Sequence, residues 1–152
     1  MNMKSILSLG RLREDAGLSA IEFALVAPFL CTFILGVVDL GFGFQAQMAV
    51  TQSAQAGTYY AMLNGYNTSG IQTVVTNASG LSGITSPTSS STCGCPSGTS
   101  VTVSTCNTTC ANGQTAGTYA SVTAQYSYTP ILTYPGLPSP MTLTSTSMLR
   151  IK

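Results

Sequence analysis

The stretch Leu18–Leu40, LSAIEFALVAPFLCTFILGVVDL, is apolar except for two carboxylates and a few small hydroxyl side chains. About 20 apolar residues are enough to cross a lipid bilayer as an α-helix, so this stretch can span one. A secretory signal peptide has a shorter apolar core, about 7–15 residues, that ends at a cleavage site of small residues. No such site closes this run, and the bulky residues before Cys31 disfavour a lipoprotein signal. The stretch therefore predicts a membrane-spanning helix.

The basic residues indicate which way this helix crosses the membrane. Lys4, Arg11 and Arg13 precede the apolar stretch, and no further Lys or Arg occurs until Arg150. Because segments rich in Lys and Arg stay in the cytoplasm, we expect the N-terminus inside and the rest of the chain outside. The sequence thus predicts a single-pass protein of the inner (cytoplasmic) membrane, in contact with lipid.

The composition disfavours catalysis. Of 152 residues, 6% are charged and none is His, and the segment between Leu40 and Leu149 contains no charged residue. A Ser-His or Cys-His nucleophile is therefore excluded within this chain, and a carboxylate pair is strongly disfavoured. A net charge of +1 gives no support for a nucleic-acid partner, which requires clustered Lys and Arg. We expect a protein that is not an enzyme and needs no cofactor.

Glu22 is the residue that the membrane interpretation must explain. Inserting a carboxylate inside a membrane helix costs about 3 kcal/mol, so such a residue is by default expected to have a function. The alternative is that Glu22 lies near the cytoplasmic interface, where its side chain reaches water at little cost. Glu22 is the fifth residue after Gly17, and an uninterrupted apolar run follows it. This order resembles the type IV prepilins and pseudopilins, in which a membrane peptidase cuts after the glycine.

The resemblance extends to one family, the TadE-like proteins, which are pseudopilin-type components of tight-adherence (Flp) pilus systems. The residues that carry it are Glu22, Phe23, Ala24, Pro28, Gly36, Asp39 and Gly41. Further along, Gly57, Tyr60 and Ala61 match a second family stretch. Gln55, Ala56 and Thr58 replace its charged residues, so an ion pair made there in relatives is absent here. The resemblance covers about the first 65 residues well and the last 35 loosely.

The resemblance implies roles for residues at the start of the span. Cleavage after Gly17 would leave Leu18 as the new N-terminus and remove the basic leader, residues 1–17. Glu22 would then pair with the freed amine of a neighbouring subunit and set the subunit register. Phe23 and Pro28 lie in the same assembly segment, and Pro28 is expected to kink the helix because it removes one backbone hydrogen bond. The implied partners are a prepilin peptidase, other pilins or pseudopilins, and the inner-membrane assembly platform.

Beyond the span (18–40), the pattern predicts a pilin-like α+β fold. The helix should continue as an exoplasmic extension (41–64), because small and apolar residues recur at helical spacing, namely Ala46, Ala49, Val50, Gly57, Tyr60 and Leu63. Asp39 is expected at the outer interface, in contact with water; a contact with another pilus component is the less favoured alternative. Within the exoplasmic domain (65–152), residues 65–100 are predicted to be loop with a short helix near Gly70–Ala78. Alternating Thr, Val and Tyr predict three antiparallel strands packed on the helix: Ser100–Thr105, Thr118–Pro130 and Met141–Leu149. The proline-rich Tyr134–Pro140 connects the last two.

Four cysteines in the exported region form an even set, Cys93, Cys95, Cys106 and Cys110, while Cys31 lies within the span. Outside the cytoplasm such a set indicates two disulfides. Cys93 and Cys95 are too close to pair, which leaves Cys93–Cys106 with Cys95–Cys110, or the nested Cys93–Cys110 with Cys95–Cys106. The nested arrangement would suit a hairpin-like loop. A four-thiolate zinc site is the alternative, but the spacing of Cys93 and Cys95 does not fit one.

Two functional hypotheses follow. The first is a structural minor pilin or pseudopilin of a tight-adherence pilus, acting in assembly, initiation or at the tip. The second is an uncleaved single-pass protein that displays an extracytoplasmic binding or adhesion domain. They share topology and fold and differ in what happens at Gly17.

Overall fold

The computed structural model describes residues 3–98, 100–133 and 136–152, and of residues 3–16 and 87 it describes the backbone alone. Its elements are helices α1 (Met3–Asn64) and α2 (Thr68–Asn77) and strands β1 (Thr85–Ser97), β2 (Ser100–Val103), β3 (Gly117–Tyr128) and β4 (Met141–Arg150). The chain divides into two compact units, a first unit Met1–Gly41 and a second unit Phe42–Lys152. The predicted α+β class is confirmed.

The described part of the first unit, residues 3–41, is helical. From Gly17 onwards α1 is, among the described residues, the one helix long and apolar enough to cross a membrane, and none of its most apolar window is buried within the chain. Its large side chains, Leu18, Phe23, Phe29 and Phe33 among them, are exposed. Apolar side chains that no part of the chain covers are unfavourable in water and favourable in lipid. By length and composition the helix is compatible with single-pass anchoring.

The second unit is a helix packed on a four-stranded antiparallel sheet of order β2-β1-β3-β4. Alternate residues of β3 line the inner face, where Ala120, Val122 and Ala124 are fully buried. They form one core cluster with the second-unit part of α1, with α2 and with Ile84. Two hydrogen bonds tie α1 to β4: Gln47 Nε2 donates to the Thr144 carbonyl oxygen at 3.3 Å, and Thr58 Oγ1 lies 3.1 Å from Ser147 Oγ. The predicted packing of the helix on the sheet is confirmed.

The element boundaries agree with most of the sequence pattern. α1 ends at Asn64, and Gly65 follows with a φ of +79°, the left-handed conformation that commonly terminates helices. α2 corresponds to the short helix expected near Gly70–Ala78, and Asn67 caps it by accepting from the Gly70 N–H. Strands β2, β3 and β4 occupy the three segments predicted for them. Of the predicted connection Tyr134–Pro140, Tyr134 and Pro135 lie outside the described residues.

Strand β1 corrects the prediction that residues 65–100 contain no strand. It pairs with both β2 and β3 and is an interior strand. The prediction failed because residues Thr85–Ser97 carry Ser, Thr and Cys instead of large apolar side chains, so the sequence shows no period-two hydrophobic signal. The register slips between Thr85 and Thr88, which places Pro87 in a bulge. A bulge is a position where a strand tolerates a residue without an N–H.

Two further expectations are wrong at single residues. Leu63, predicted to lie on the packed stripe of the helix, is exposed, and the buried stripe is Ala46, Val50, Ala54 and Ala61. Asp39, expected in contact with water, is only 3% exposed. The prediction failed because the apolar pattern around Asp39 indicates only where the span ends and carries no signal for burial of this side chain.

Candidate processing and assembly site

The residues singled out for processing and assembly lie together on the first helical turns after the basic segment. Gly17, Leu18, Glu22, Phe23 and Pro28 all belong to α1. In a helix, residues four apart lie on the same face, about 6 Å apart along the axis, so Leu18 and Glu22 share a face. Both side chains are exposed. Among the side chains that the structure describes, from Gly17 onwards, none covers Glu22, so a second subunit could reach it from this side.

Gly17 has no structural role that the chain itself explains. A Cβ added at this position would meet no heavy atom within 4 Å, and the backbone there is not in the left-handed region. A glycine is usually required where a side chain would collide or where φ is positive. Neither condition holds at Gly17, so its identity is not determined by the packing of this helix.

Pro28 lies inside a helix that continues on both sides of it. Proline cannot donate the hydrogen bond that position 28 would make to the carbonyl of residue 24. The hydroxyl of Thr32 donates to the Pro28 carbonyl oxygen at 2.8 Å, which adds a local side-chain contact one turn further on. The kink expected at Pro28 stays a prediction.

The four cysteines of the second unit form two disulfides, Cys93–Cys106 and Cys95–Cys110. The sequence left two pairings open. The structure has Cys93–Cys106 with Cys95–Cys110, which we call the staggered pairing, and not the nested pairing. Both bonds join β1 to the loop between β2 and β3. The loop is further held by a hydrogen bond of 2.7 Å from the Cys110 N–H to the Gln114 carbonyl oxygen. Cys31 is unpaired and exposed.

A pocket of about 420 Å³ lies in the second unit beside the start of its helix. Its wall includes Phe42, Gln45, Ala49, Leu81, Tyr126 and Tyr128. The lining is aromatic and aliphatic with a few uncharged polar groups, and it has no acid, base or nucleophile pair that could perform general acid–base chemistry. The sequence analysis did not anticipate this pocket, because its lining comes from three separate segments of the chain.

Comparison with known proteins gives one match. Residues 17–58 match the family model described as TadE-like protein. No curated protein and no solved structure matches the chain. The family points to a component associated with the tight-adherence pilus, and such components are structural proteins and not enzymes. The matched segment begins at Gly17, and over this segment the resemblance to TadE-like proteins that the sequence indicates is confirmed.

Proposed function

We propose that this chain is a structural minor pilin or pseudopilin of a tight-adherence pilus, cut after Gly17 by a prepilin peptidase. The observation that carries the proposal is the family match, which starts at the glycine where cleavage is expected and covers the apolar helix. Cleavage there would remove residues 1–17 and leave Leu18 at the head of the anchor. The remaining chain would stay in the inner membrane, with its second unit outside, until it joins a filament.

The glycine itself supports the cleavage step. Because neither packing nor backbone conformation requires glycine at position 17, an interaction outside the folded chain is a natural reason for it. A peptidase that binds an extended leader needs a residue without a side chain next to the bond it cuts. Gly17 meets this need at the junction between a basic leader and an apolar helix.

The exposed face of α1 supports assembly with other subunits. In the second unit the buried stripe of the helix faces the sheet, and the opposite side carries Phe44, Met48, Gln55, Tyr59 and Met62. These residues recur at intervals of three, four or seven, which places them on one side of a helix. An uncharged, largely apolar helix face that the chain itself does not cover is suited to packing against the helices of other pilins. The inner-membrane assembly platform is the proposed site at which this packing begins.

A different face favours the second candidate, an uncleaved protein that displays a binding domain. The outer face of the sheet is an array of hydroxyls, with Thr88, Ser90, Ser121, Thr123, Thr144 and Thr146 on it. Thr123 and Thr146 hydrogen-bond across the strands at 3.0 Å. Such a face can contact a surface through hydrogen bonds without any charge. It is also compatible with a subunit at the tip of a pilus.

Co-expression with a prepilin peptidase tests the proposal. The full chain should become shorter by its first 17 residues only when an active peptidase is present, as intact mass shows. Gly17→Leu should remain full length, because a branched side chain now adjoins the bond. Gly41→Leu is the matched control, since a Cβ at Gly41 also meets nothing within 4 Å, and it should be cut like the parent. A parent chain that the peptidase leaves intact would contradict the proposal and favour the second candidate.

A further inference from the structure

One end of the second unit brings together the start of its helix and the loop between β3 and β4. A Cβ placed on Gly43 would lie 3.7 Å from Cε1 of Tyr128, the last residue of β3. Tyr128 pairs with Met141, the first residue of β4. The described parts of the loop that joins these two residues, 129–133 and 136–140, therefore lie at the same end as Phe42 and Gly43. We call this the Phe42 end.

The contacts between the helix and β4 show which way the sheet runs along the helix. They place the loop between β2 and β3, which carries Cys106 and Cys110, at the opposite end. Gln47 reaches Thr144 and Thr58 reaches Ser147, so β4 advances along the helix away from Phe42. β3 runs back from Gly117 to Tyr128, and Gly117 pairs with Gly94, which in turn pairs with Val103. At about 3.3 Å per residue, Gly117 and Tyr128 are roughly 36 Å apart along β3. Val103 thus lies far from the Phe42 end.

The described part of the loop exposes large apolar side chains. Ile131 is 61% exposed and Leu137 is 55% exposed. On the helix side of the same end, Phe42 and Phe44 are also exposed. Surface loops are usually polar because they lie in water, and apolar side chains grouped at one end of a domain mark a contact surface.

The absence of charged side chains favours lipid over other partners for the Phe42 end. No residue between Leu40 and Leu149 is charged, so no side chain of the second unit at the Phe42 end has to lose the hydration of an ion on entering the interfacial region. Exposed aromatic residues are enriched at the level of lipid headgroups. In the sequence, Phe42 is the second residue after Leu40, where the apolar stretch ends, so the bilayer is the apolar phase nearest to this end.

We propose that the Phe42 end of the second unit lies in the headgroup region of the bilayer, with Ile131 and Leu137 in contact with lipid. The inference rests on the proposed function only in assuming that residues 18–40 span the membrane. It adds a second membrane contact, formed by a loop remote in sequence from the span. The pocket whose lining includes Phe42, Tyr126 and Tyr128 lies at the same end of the second unit. Such a loop fixes the domain against the membrane until the subunit is extracted.

Tryptophan fluorescence tests the proposal, because the chain contains no Trp. Ile131→Trp and Leu137→Trp are each introduced into the full chain and reconstituted into vesicles of phosphatidylcholine or of its brominated form, which quenches tryptophan on contact. Val103→Trp, at the far end and 72% exposed, is the matched control in water. Phe33→Trp is the control inside the span. Thiol labelling confirms the fold when Cys31 alone reacts without reductant.

We expect brominated lipid to quench Ile131→Trp, Leu137→Trp and Phe33→Trp, and to leave Val103→Trp unchanged. Quenching of Phe33→Trp without quenching of the two loop variants would overturn the inference and leave the membrane span intact. If Phe33→Trp itself escaped quenching, the span would be wrong and the inference would fall with it. Equal quenching of Val103→Trp would also overturn it, because the contact would not be specific to the Phe42 end.

Discussion

At Gly57 the helix α1 lies too close to its neighbours for any side chain. A Cβ added there would be 2.7 Å from Cγ2 of Val75 on α2 and 2.9 Å from Cγ1 of Val122 on β3. Both contacts are to short branched side chains, which have little freedom to move aside. Gly57 is one of the residues on which the family resemblance rests, and the structure gives it a physical reason.

Gly57→Ala is therefore expected to destabilise the second unit. Overpacking costs about 1–3 kcal/mol, and better helix propensity returns about 1 kcal/mol. The net loss should be about 0–2 kcal/mol relative to the parent and about 1–3 kcal/mol relative to a helix Gly→Ala variant without the collision. It should lower the melting temperature of the detergent-solubilised full chain followed by circular dichroism. Gly43→Ala is the control, because its Cβ would meet Tyr128 at an ordinary 3.7 Å. A Gly57→Ala protein that melts as high as Gly43→Ala would refute the close approach.

Glu22 is the second residue for which we predict the effect of a substitution, here on subunit assembly. If its carboxylate pairs with the freed amine of Leu18 in a neighbouring subunit, Glu22→Ala leaves that amine buried without a partner. Breaking one side of a buried pair costs about 3–5 kcal/mol. We expect normal cleavage of Glu22→Ala and a loss of the chain from purified pili, measured by immunoblot against the membrane fraction. Thr32→Ala, on the same helix, should assemble normally. Normal incorporation of Glu22→Ala would show that the pair is not needed.

Among the elements, β1 is the one whose stability depends most on covalent bonds. It has no large apolar side chain, and it is held by its two neighbouring strands, by α2 and by the two disulfides. Tyr66 adds a contact by donating its hydroxyl to the Ser89 carbonyl oxygen at 2.7 Å. A strand of Ser and Thr buries little apolar surface, so cross-links offset what the core does not supply.

The staggered pairing of the cysteines predicts which thiol each single substitution releases. Cys93→Ala should free Cys106, and Cys95→Ala should free Cys110, as shown by labelling without reductant followed by peptide mass mapping. The nested pairing would give the opposite result. Replacing Cys95 and Cys110 together should lower the free energy of unfolding by about 3 kcal/mol, the value for a loop of about 15 residues. Cys31→Ala is the control and should leave both disulfides and the stability unchanged.

The sequence predicted elements well where the apolar period was strong. The membrane helix, its continuation to Asn64 and the strands β3 and β4 all follow from apolar spacing. The sequence did not predict β1, because its Ser and Thr side chains give no alternation of apolar and polar residues. The spacing of Cys93 and Cys95, two residues apart and so on one face of a strand, was the one available signal for β1. The pairing of the cysteines depends on the register of β1 against β2, which no local pattern determines.

At the scale of the whole molecule, the chain joins an apolar helix to a disulfide-linked unit whose charged residues, Arg150 and Lys152, lie at its C-terminal end. The candidate site can be proposed from the sequence alone because it is contained in one continuous segment, where Gly17 and Glu22 have a fixed spacing on a helix. The roles of its residues stay predictions. The pocket and the Phe42 end could not be predicted, because they combine residues far apart in the sequence. The domain limits at 17, 40 and 64 stay predictions about membrane position, since they concern the bilayer and not the fold.

The proposed function depends above all on a mature chain that begins at Leu18. The intact mass and N-terminal sequence of the protein extracted from the membranes of its native host test this. We expect an N-terminus at Leu18, with residues 1–17 missing and both disulfides present. A chain that still begins at Met1 would contradict it: the protein would then be a permanent single-pass anchor, and Glu22 a charge tolerated at the membrane interface.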